Sequence, residues 1–200
     1  MREAPSPYDR VTAWLFAAGG TAHLPLVAGL QNPTVRKRYL AARELLAAYG
    51  HQDCYAPLLN LLGCATISQA QVAGHLDALA AAFDAAATAL RTPIFFAANL
   101  TPAARPVAID GSRELIARGD HREAIFWIVA TYSRCLQVLH RDAPAELHAR
   151  HTPGFRRLLA DLGIASRADL QRRGEAVAAF LPAAWAVAEA IMAANPNIAD

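Results

Sequence analysis

Lysine is almost missing from this sequence. Lys37 is the only lysine, against eighteen arginines in 200 residues. The formal net charge is only +2, which excludes the strongly basic surface typical of nucleic-acid-binding domains. Nearly one residue in four is alanine, so the preference for arginine looks like GC-rich coding bias and does not by itself indicate function. With 54% hydrophobic residues, the chain is apolar enough to build a large core and is not disordered.

Cysteine is scarce as well. Cys54, Cys64 and Cys135 are odd in number, widely spaced and without a CxxC pair, which argues against a disulfide framework and a cysteine zinc site. The N-terminal stretch "MREAPSPYDR" lacks the apolar core of a signal peptide. We therefore expect a reduced, cytoplasmic protein.

One long uncharged run, residues 11–35, has the length of a membrane span. Gly19-Gly20, His23 and Pro25 interrupt it, so we expect two buried helices and no membrane partner.

Strand patterns of alternating Val, Ile and Thr are nearly absent, whereas alanine and leucine favour helix. The sequence predicts an all-α fold, a multi-helix up-down bundle of about seven or eight helices in a single domain, 1–200. A proline-rich connection at 91–105 is the alternative boundary between two subbundles.

Helix-capping residues and prolines predict where the helices begin. Starts are expected at Ser6-Pro7, Asn32-Pro33, Ser68, Asp120, Thr152-Pro153 and Ser166. Ser68-x-x-Gln71 and Asp120-x-x-Glu123 have the pattern of capping boxes.

The helix after Asp120 should be the central one. Its run "AIFWIVA", 124–130, is apolar on every side, and Thr131, Arg134, Gln137 and Arg141 then form one polar stripe. A buried Arg134 needs either a carboxylate, for which Asp110 is the candidate, or a ligand. The second alternative predicts an anion-facing pocket, with these ligand-binding residues: His121, Trp127, Thr131 and Arg134. Arg36-Lys37-Arg38 is a second candidate anion site or, alternatively, a solvated face.

The segment "GSRELIARGDHREAIFWIVATYSRC" resembles the helical C-terminal domains of kanamycin-type and related small nucleotidyltransferases, which belong to or lie near the HEPN helical class. The similarity is one of pattern, over roughly residues 35–165. It implies a pocket for an acceptor substrate, often formed across a homodimer, and a separate nucleotidyltransferase protein as partner.

The family's catalytic motif is incomplete here. Gly111-Ser112 is followed by Asp120, but His121 and Arg122 stand where a second carboxylate would help to hold Mg²⁺. We therefore expect an accessory domain that binds a small polar or anionic ligand, without a cofactor or a metal site of its own.

Two alternatives remain open. HEPN ribonucleases carry an arginine, a polar residue and then a histidine, and Arg141-Asp142 followed by His148 fits this spacing. His148 would be the general acid or base on RNA and Arg141 would stabilise the phosphorane charge, without a metal. The other alternative is a purely structural interaction protein that dimerises through its alanine-rich helices, 69–90 and 176–194.

Overall fold

The computed structural model describes residues 6–92 and 96–198. These residues form eight α-helices and, within the described ranges, no strand. The helices are α1 (Pro7–Ala28), α2 (Arg38–Ala48), α3 (Tyr55–Leu61), α4 (Gln69–Ala89), α5 (Gly111–Ala117), α6 (His121–Asp142), α7 (Ala145–Asp161) and α8 (Arg167–Ala194). The prediction of an all-α bundle is confirmed.

Helix α6 is the centre of the bundle. Every residue from Glu123 to Leu136 is buried, including the apolar run that the sequence places there. Helices α1, α2, α4, α5 and α7 surround α6, while α8 packs along the other side of α1. The buried cluster takes residues from all eight helices, so the elements before and after the 91–105 connection share one core.

Three of the predicted helix starts carry capping boxes, of which only the one at Ser68 was predicted as a box. Ser6, Ser68 and Ser166 each accept a hydrogen bond from the backbone N–H three residues on, whose side chain binds the cap in return. Gly119 has φ +89° and ends α5, as its position predicts.

Four expectations about the helices are wrong. The run 11–35 does not hold two helices, because α1 continues through Gly19-Gly20 and Pro25. The second helix begins at Arg38, after a 3-10 turn at Val35–Lys37, and not at Pro33. Asp120 does not cap α6 with its side chain. The fourth concerns Pro153, which does not start a helix.

Helix α7 already begins at Ala145 and includes Pro153. A proline inside a helix removes one backbone hydrogen bond. The carbonyl that loses its donor is that of Ala149, four residues before Pro153. In the same turn, the Thr152 hydroxyl donates to the carbonyl of His148 and the Tyr132 hydroxyl donates to that of His151.

The connection between α4 and α5 falls partly outside the described residues, at 93–95. Its described part contains 3-10 turns at Ala97–Leu100 and Pro102–Ala104 and a π-helical turn at Pro106–Asp110. These turns lie against α4 and α6, and residues from them form one wall of a cavity beside α6.

Candidate functional site

The cavity beside the middle of α6 has a volume of about 250 Å³. Trp127 and Arg134 form its inner wall, and Arg36 and Asn99 contribute polar groups from two other segments. Its remaining lining consists of Phe16, Thr34, Val35, Phe96 and Val107. Two arginines that are far apart in sequence therefore face one cavity, and none of the described residues that line it is acidic.

Arg134 is the most buried charged group in this wall, with 5% of its surface exposed. Its guanidinium lies 3.7 Å from the centre of the Phe96 ring and 5.6 Å from that of Trp127. Burial lowers the pKa of Arg134, although an arginine stays protonated at neutral pH. Aromatic faces attract a cation but do not neutralise its charge.

The proposed ion pair of Arg134 with Asp110 is not formed. Asp110 instead lies 3.3 Å from Arg113, one turn further along its own segment. Within the described part of the chain, Arg134 has no carboxylate within ion-pair distance. The alternative from the sequence, a ligand-facing Arg134, is therefore the one that the geometry favours.

Two more polar atoms on the same stretch of α6 lack partners. The indole nitrogen of Trp127 and the hydroxyl of Thr131 are buried and have no hydrogen-bond partner among the described residues. Five other buried side-chain atoms, in residues outside the cavity lining, also lack a partner among the described residues, so this feature is not specific to the cavity. Thr131 is itself buried beside the cavity wall and does not line it.

His121 is not part of this cavity. It stands at the first position of α6, about 20 Å from Arg134 at the 1.5 Å rise of a helix. Its ring nitrogens lie 3.0 Å from the carbonyl oxygens of Gly119 and Ile67, respectively. His121 therefore joins two turns of the backbone, and the structure separates it from the other three predicted ligand-binding residues.

Arg36 comes from the basic cluster Arg36-Lys37-Arg38. Its Nη1 donates a 2.9 Å hydrogen bond to the carbonyl of Gly111, which fixes the side chain at the cavity. Arg38 lies instead over the ring of Phe126, 5.5 Å from its centre. The sequence identified Arg36 and Arg134 as separate anion-binding candidates, but it carried no sign that they share a site.

Asp142, a candidate catalytic residue of the ribonuclease alternative, connects two segments of the chain by hydrogen bonds. Its carboxylate accepts hydrogen bonds from the Thr92 hydroxyl and from the backbone N–H groups of Arg91 and Thr92. These bonds, the Thr92 hydroxyl first, lower the pKa of Asp142 to about 2. Asp142 is a stable anion that ties the end of α6 to the residues after α4.

His148 has neighbours that the sequence did not predict. The Tyr8 hydroxyl lies 2.6 Å from its Nε2, and the ring of His140 is 5.1 Å away between centroids. Burial, followed by the charges of His140 and Arg156, lowers the pKa of His148. Arg141 is exposed and makes no hydrogen bond to His148 in the described structure. The three residues therefore do not form one hydrogen-bonded group.

The two buried cysteines, Cys64 and Cys135, are not activated nucleophiles. Burial raises the pKa of Cys64 to about 12 and that of Cys135 still further, so neither is a thiolate at neutral pH. Among the residues described, no three His, Cys, Asp or Glu side chains are grouped closely enough to hold a metal ion.

Comparison of the chain with protein-family models, with curated proteins and with solved structures finds no match.

Proposed function

We propose that this protein is a helical ligand-binding domain whose α6 cavity takes a small anion. The observation that carries the proposal is Arg134, a buried cation without a carboxylate partner in the described chain, which faces a cavity that also receives Arg36. An unpaired buried charge costs several kcal/mol, and an anionic ligand would offset that cost.

The charge of the wall selects the class of ligand. With two arginines and no acidic residue in the lining, a cationic ligand such as an aminoglycoside is disfavoured. Phosphate or carboxylate groups match the two-pronged donor geometry of guanidinium. If the domain serves a separate nucleotidyltransferase, as the sequence resemblance implies, it would hold a phosphate-bearing ligand and not a cationic acceptor.

The test is binding of phosphate, pyrophosphate and AMP by calorimetry, with kanamycin as the cationic comparison. We expect at least one of the three anions to bind, and Arg134→Met to weaken its binding at least about ten-fold, since a charge-assisted hydrogen bond contributes about 1.5–3 kcal/mol. Arg113→Met is the matched control, because Arg113 is half-exposed and lies outside the cavity.

Stability separates a ligand-binding from a structural role of Arg134. We expect the free energy of unfolding of Arg134→Met to lie within about 1 kcal/mol of that of the wild type. The loss of two cation–π contacts is destabilising, but the removal of a buried charge without a carboxylate partner is stabilising. A large loss of stability, or anion binding equal to that of the wild type, would remove Arg134 from the proposal.

A second observation favours self-association. Between residues 176 and 194 of α8, Glu189 is the only ionisable residue, and Leu181 and Trp185 expose 45% and 53% of their surfaces. Val177, Ala184, Ala188 and Ile191 form the buried side of this stretch. Helix α8 therefore leaves one long apolar face uncovered, and we propose that a second copy of the chain covers it.

We assign this face to a protein partner and not to a lipid surface. Helices α1 and α8 are both long and apolar enough to cross a membrane, with mean hydropathies of 1.3 and 1.8. However, the two helices pack on each other. Interfacial membrane helices also carry Lys or Arg along their polar side, and 176–194 has neither. Small alanine side chains allow two helices to approach closely, as a symmetric dimer requires.

Sedimentation equilibrium tests this second proposal. We expect the wild type to be a dimer and Leu181→Glu to be a folded monomer, because a charge at the centre of an apolar interface is costly. Ala47→Glu, an exposed position on α2, should leave the dimer intact. A wild type that stays monomeric at 100 μM (roughly the limit of a useful affinity) or that sediments with lipid vesicles would contradict it.

A further inference from the structure

A second and larger cavity, of about 410 Å³, lies on another side of the molecule. It is bounded by the first turns of α1, the last turns of α7 and the connection that leads into α8. Cavities of about 300–1,000 Å³ are the usual size of small-molecule sites. It shares no lining residue with the α6 cavity, so a ligand bound here is independent of the function proposed for that site.

The inner surface of this cavity is apolar. Val11, Leu159 and Ile164 come from three different segments and expose at most 9% of their surfaces, and Leu170 of α8 is half-buried beside them. Such a surface binds hydrocarbon by removing it from water, at roughly 25 cal/mol per Å².

Among the described residues that line the cavity, the ionisable ones are all arginines. Arg10 of α1, Arg156 of α7 and Arg167 of α8 reach it from three helices. In the described part of the chain, none of the three forms an ion pair. Like charges held around one cavity repel each other, and an anion between them would relieve that repulsion.

The carboxylates next to these arginines in sequence are engaged elsewhere. Asp9 accepts hydrogen bonds from the Ser6 backbone and from the Gln137 amide. Asp169 completes the Ser166 capping box and pairs with Arg172. Asp169 thus lies on the backbone of Ala165 and Ser166 at the edge of the cavity, but its charge is paired with Arg172, and neither Asp9 nor Asp169 pairs with a lining arginine.

We propose that this cavity binds an amphipathic anion, with a carboxylate or phosphate head between the arginines and an apolar tail on Val11, Leu159 and Ile164. Both parts of the ligand are required by the two kinds of wall. A purely polar anion would leave the apolar surface uncovered, and a neutral hydrocarbon would make no contact with the charges of the three arginines.

The experiment is calorimetric titration of the whole chain with decanoate and decyl phosphate below their micellar concentrations, beside decanol and acetate. We expect the two amphiphiles to bind saturably at one site. Decanol lacks the charge and acetate lacks the tail. Each should bind at least about ten-fold more weakly than the amphiphiles, a factor that corresponds to about 1.4 kcal/mol of binding free energy. The stronger of the two amphiphiles identifies the head group.

The variant Arg156→Gln/Arg167→Gln should weaken decanoate binding at least about ten-fold and leave decanol binding unchanged. Both arginines are exposed, so their loss should not unfold the chain. Arg157→Gln is the matched control, because Arg157 is an exposed neighbour on α7 that does not line the cavity. Equal binding of decanoate and decanol, or decanoate binding that the double variant retains, would overturn the proposal, as would the absence of any saturable binding.

Discussion

At the scale of single residues, Glu123 has a different role from the one its position predicts. The pattern Asp120-x-x-Glu123 predicts a capping box, but both carboxylates bind Arg43 of α2, at 2.8 Å and 2.6 Å. The Tyr55 hydroxyl donates a further 2.7 Å hydrogen bond to Glu123. Glu123 exposes 1% of its side chain, so these contacts decide whether its charge can be buried.

Replacing Arg43 with methionine should destabilise the protein by about 3 kcal/mol, because the buried Glu123 carboxylate would lose its cation. Urea denaturation of the wild type and Arg43→Met measures this difference. Arg118→Met is the control, since Arg118 also pairs with Asp120 but is mostly exposed and should matter by less than about 1 kcal/mol.

The double variant Arg43→Met/Glu123→Leu refines the test. Replacing both members of a buried pair by apolar residues is often much less costly than removing one. We expect the double variant to be more stable than Arg43→Met alone. The opposite order would mean that the pair contributes through packing and not through charge.

At the scale of helices and turns, two glycines with similar backbone angles have different surroundings. Gly50 has φ +77° and Gly63 has φ +73°, so both occupy the left-handed region that L side chains avoid. A Cβ at Gly50 would meet no atom within 4 Å, whereas at Gly63 it would lie 2.2 Å from the backbone oxygen of Leu162. Only Gly63 lies where two segments approach each other closely.

We expect Gly50→Ala to cost about 1 kcal/mol, the strain of a left-handed alanine alone. Gly63→Ala should cost at least about 3 kcal/mol, because the chain after α3 must also move away from the end of α7. Thermal or urea unfolding of the two variants gives the comparison. Equal losses of stability would show that the close approach to Leu162 is easily relaxed.

Pro153 shows the limit of sequence reasoning for a helix. Thr152-Pro153 has the pattern of a helix start, yet α7 begins eight residues earlier, at Ala145. The Tyr132 hydroxyl, which comes from α6, donates to the carbonyl of His151 in the turn that contains the proline. No local pattern in α7 indicates a donor from another helix.

At the scale of the whole molecule, partly buried histidines should make stability depend on pH. Burial is the main cause that lowers the pKa values of His23, His148 and His151. The unfolded chain protonates its histidines near pH 6.5, so it binds more protons than the folded chain just below that pH. The free energy of unfolding should therefore have its full value above about pH 6.5. It should decrease as the pH falls below about 6.5, because the unfolded chain then takes up more protons than the folded chain.

Urea denaturation at pH 7.5 and pH 5.5 measures this dependence. We expect lower stability at pH 5.5 and a smaller difference between the two pH values in His148→Gln, which cannot be protonated. Asp142 and Asp169 also have lowered pKa values, but carboxylates lose their contribution only at more acidic pH. Equal stability of the wild type at the two pH values would contradict the expectation.

The sequence by itself determined the helical class, the three serine caps and the buried central helix α6, because these depend on local propensity and on the periodicity of apolar residues. It also identified Arg134 as a cation that needs a partner. Only the tertiary structure showed that Asp110 is not this partner, because Asp110 pairs with Arg113. The packing of the helices also placed Arg36 at the same cavity as Arg134. It also gathered Arg10, Arg156 and Arg167 around a second cavity. Residues so far apart in sequence meet only when the helices pack, and no local spacing records which faces will meet.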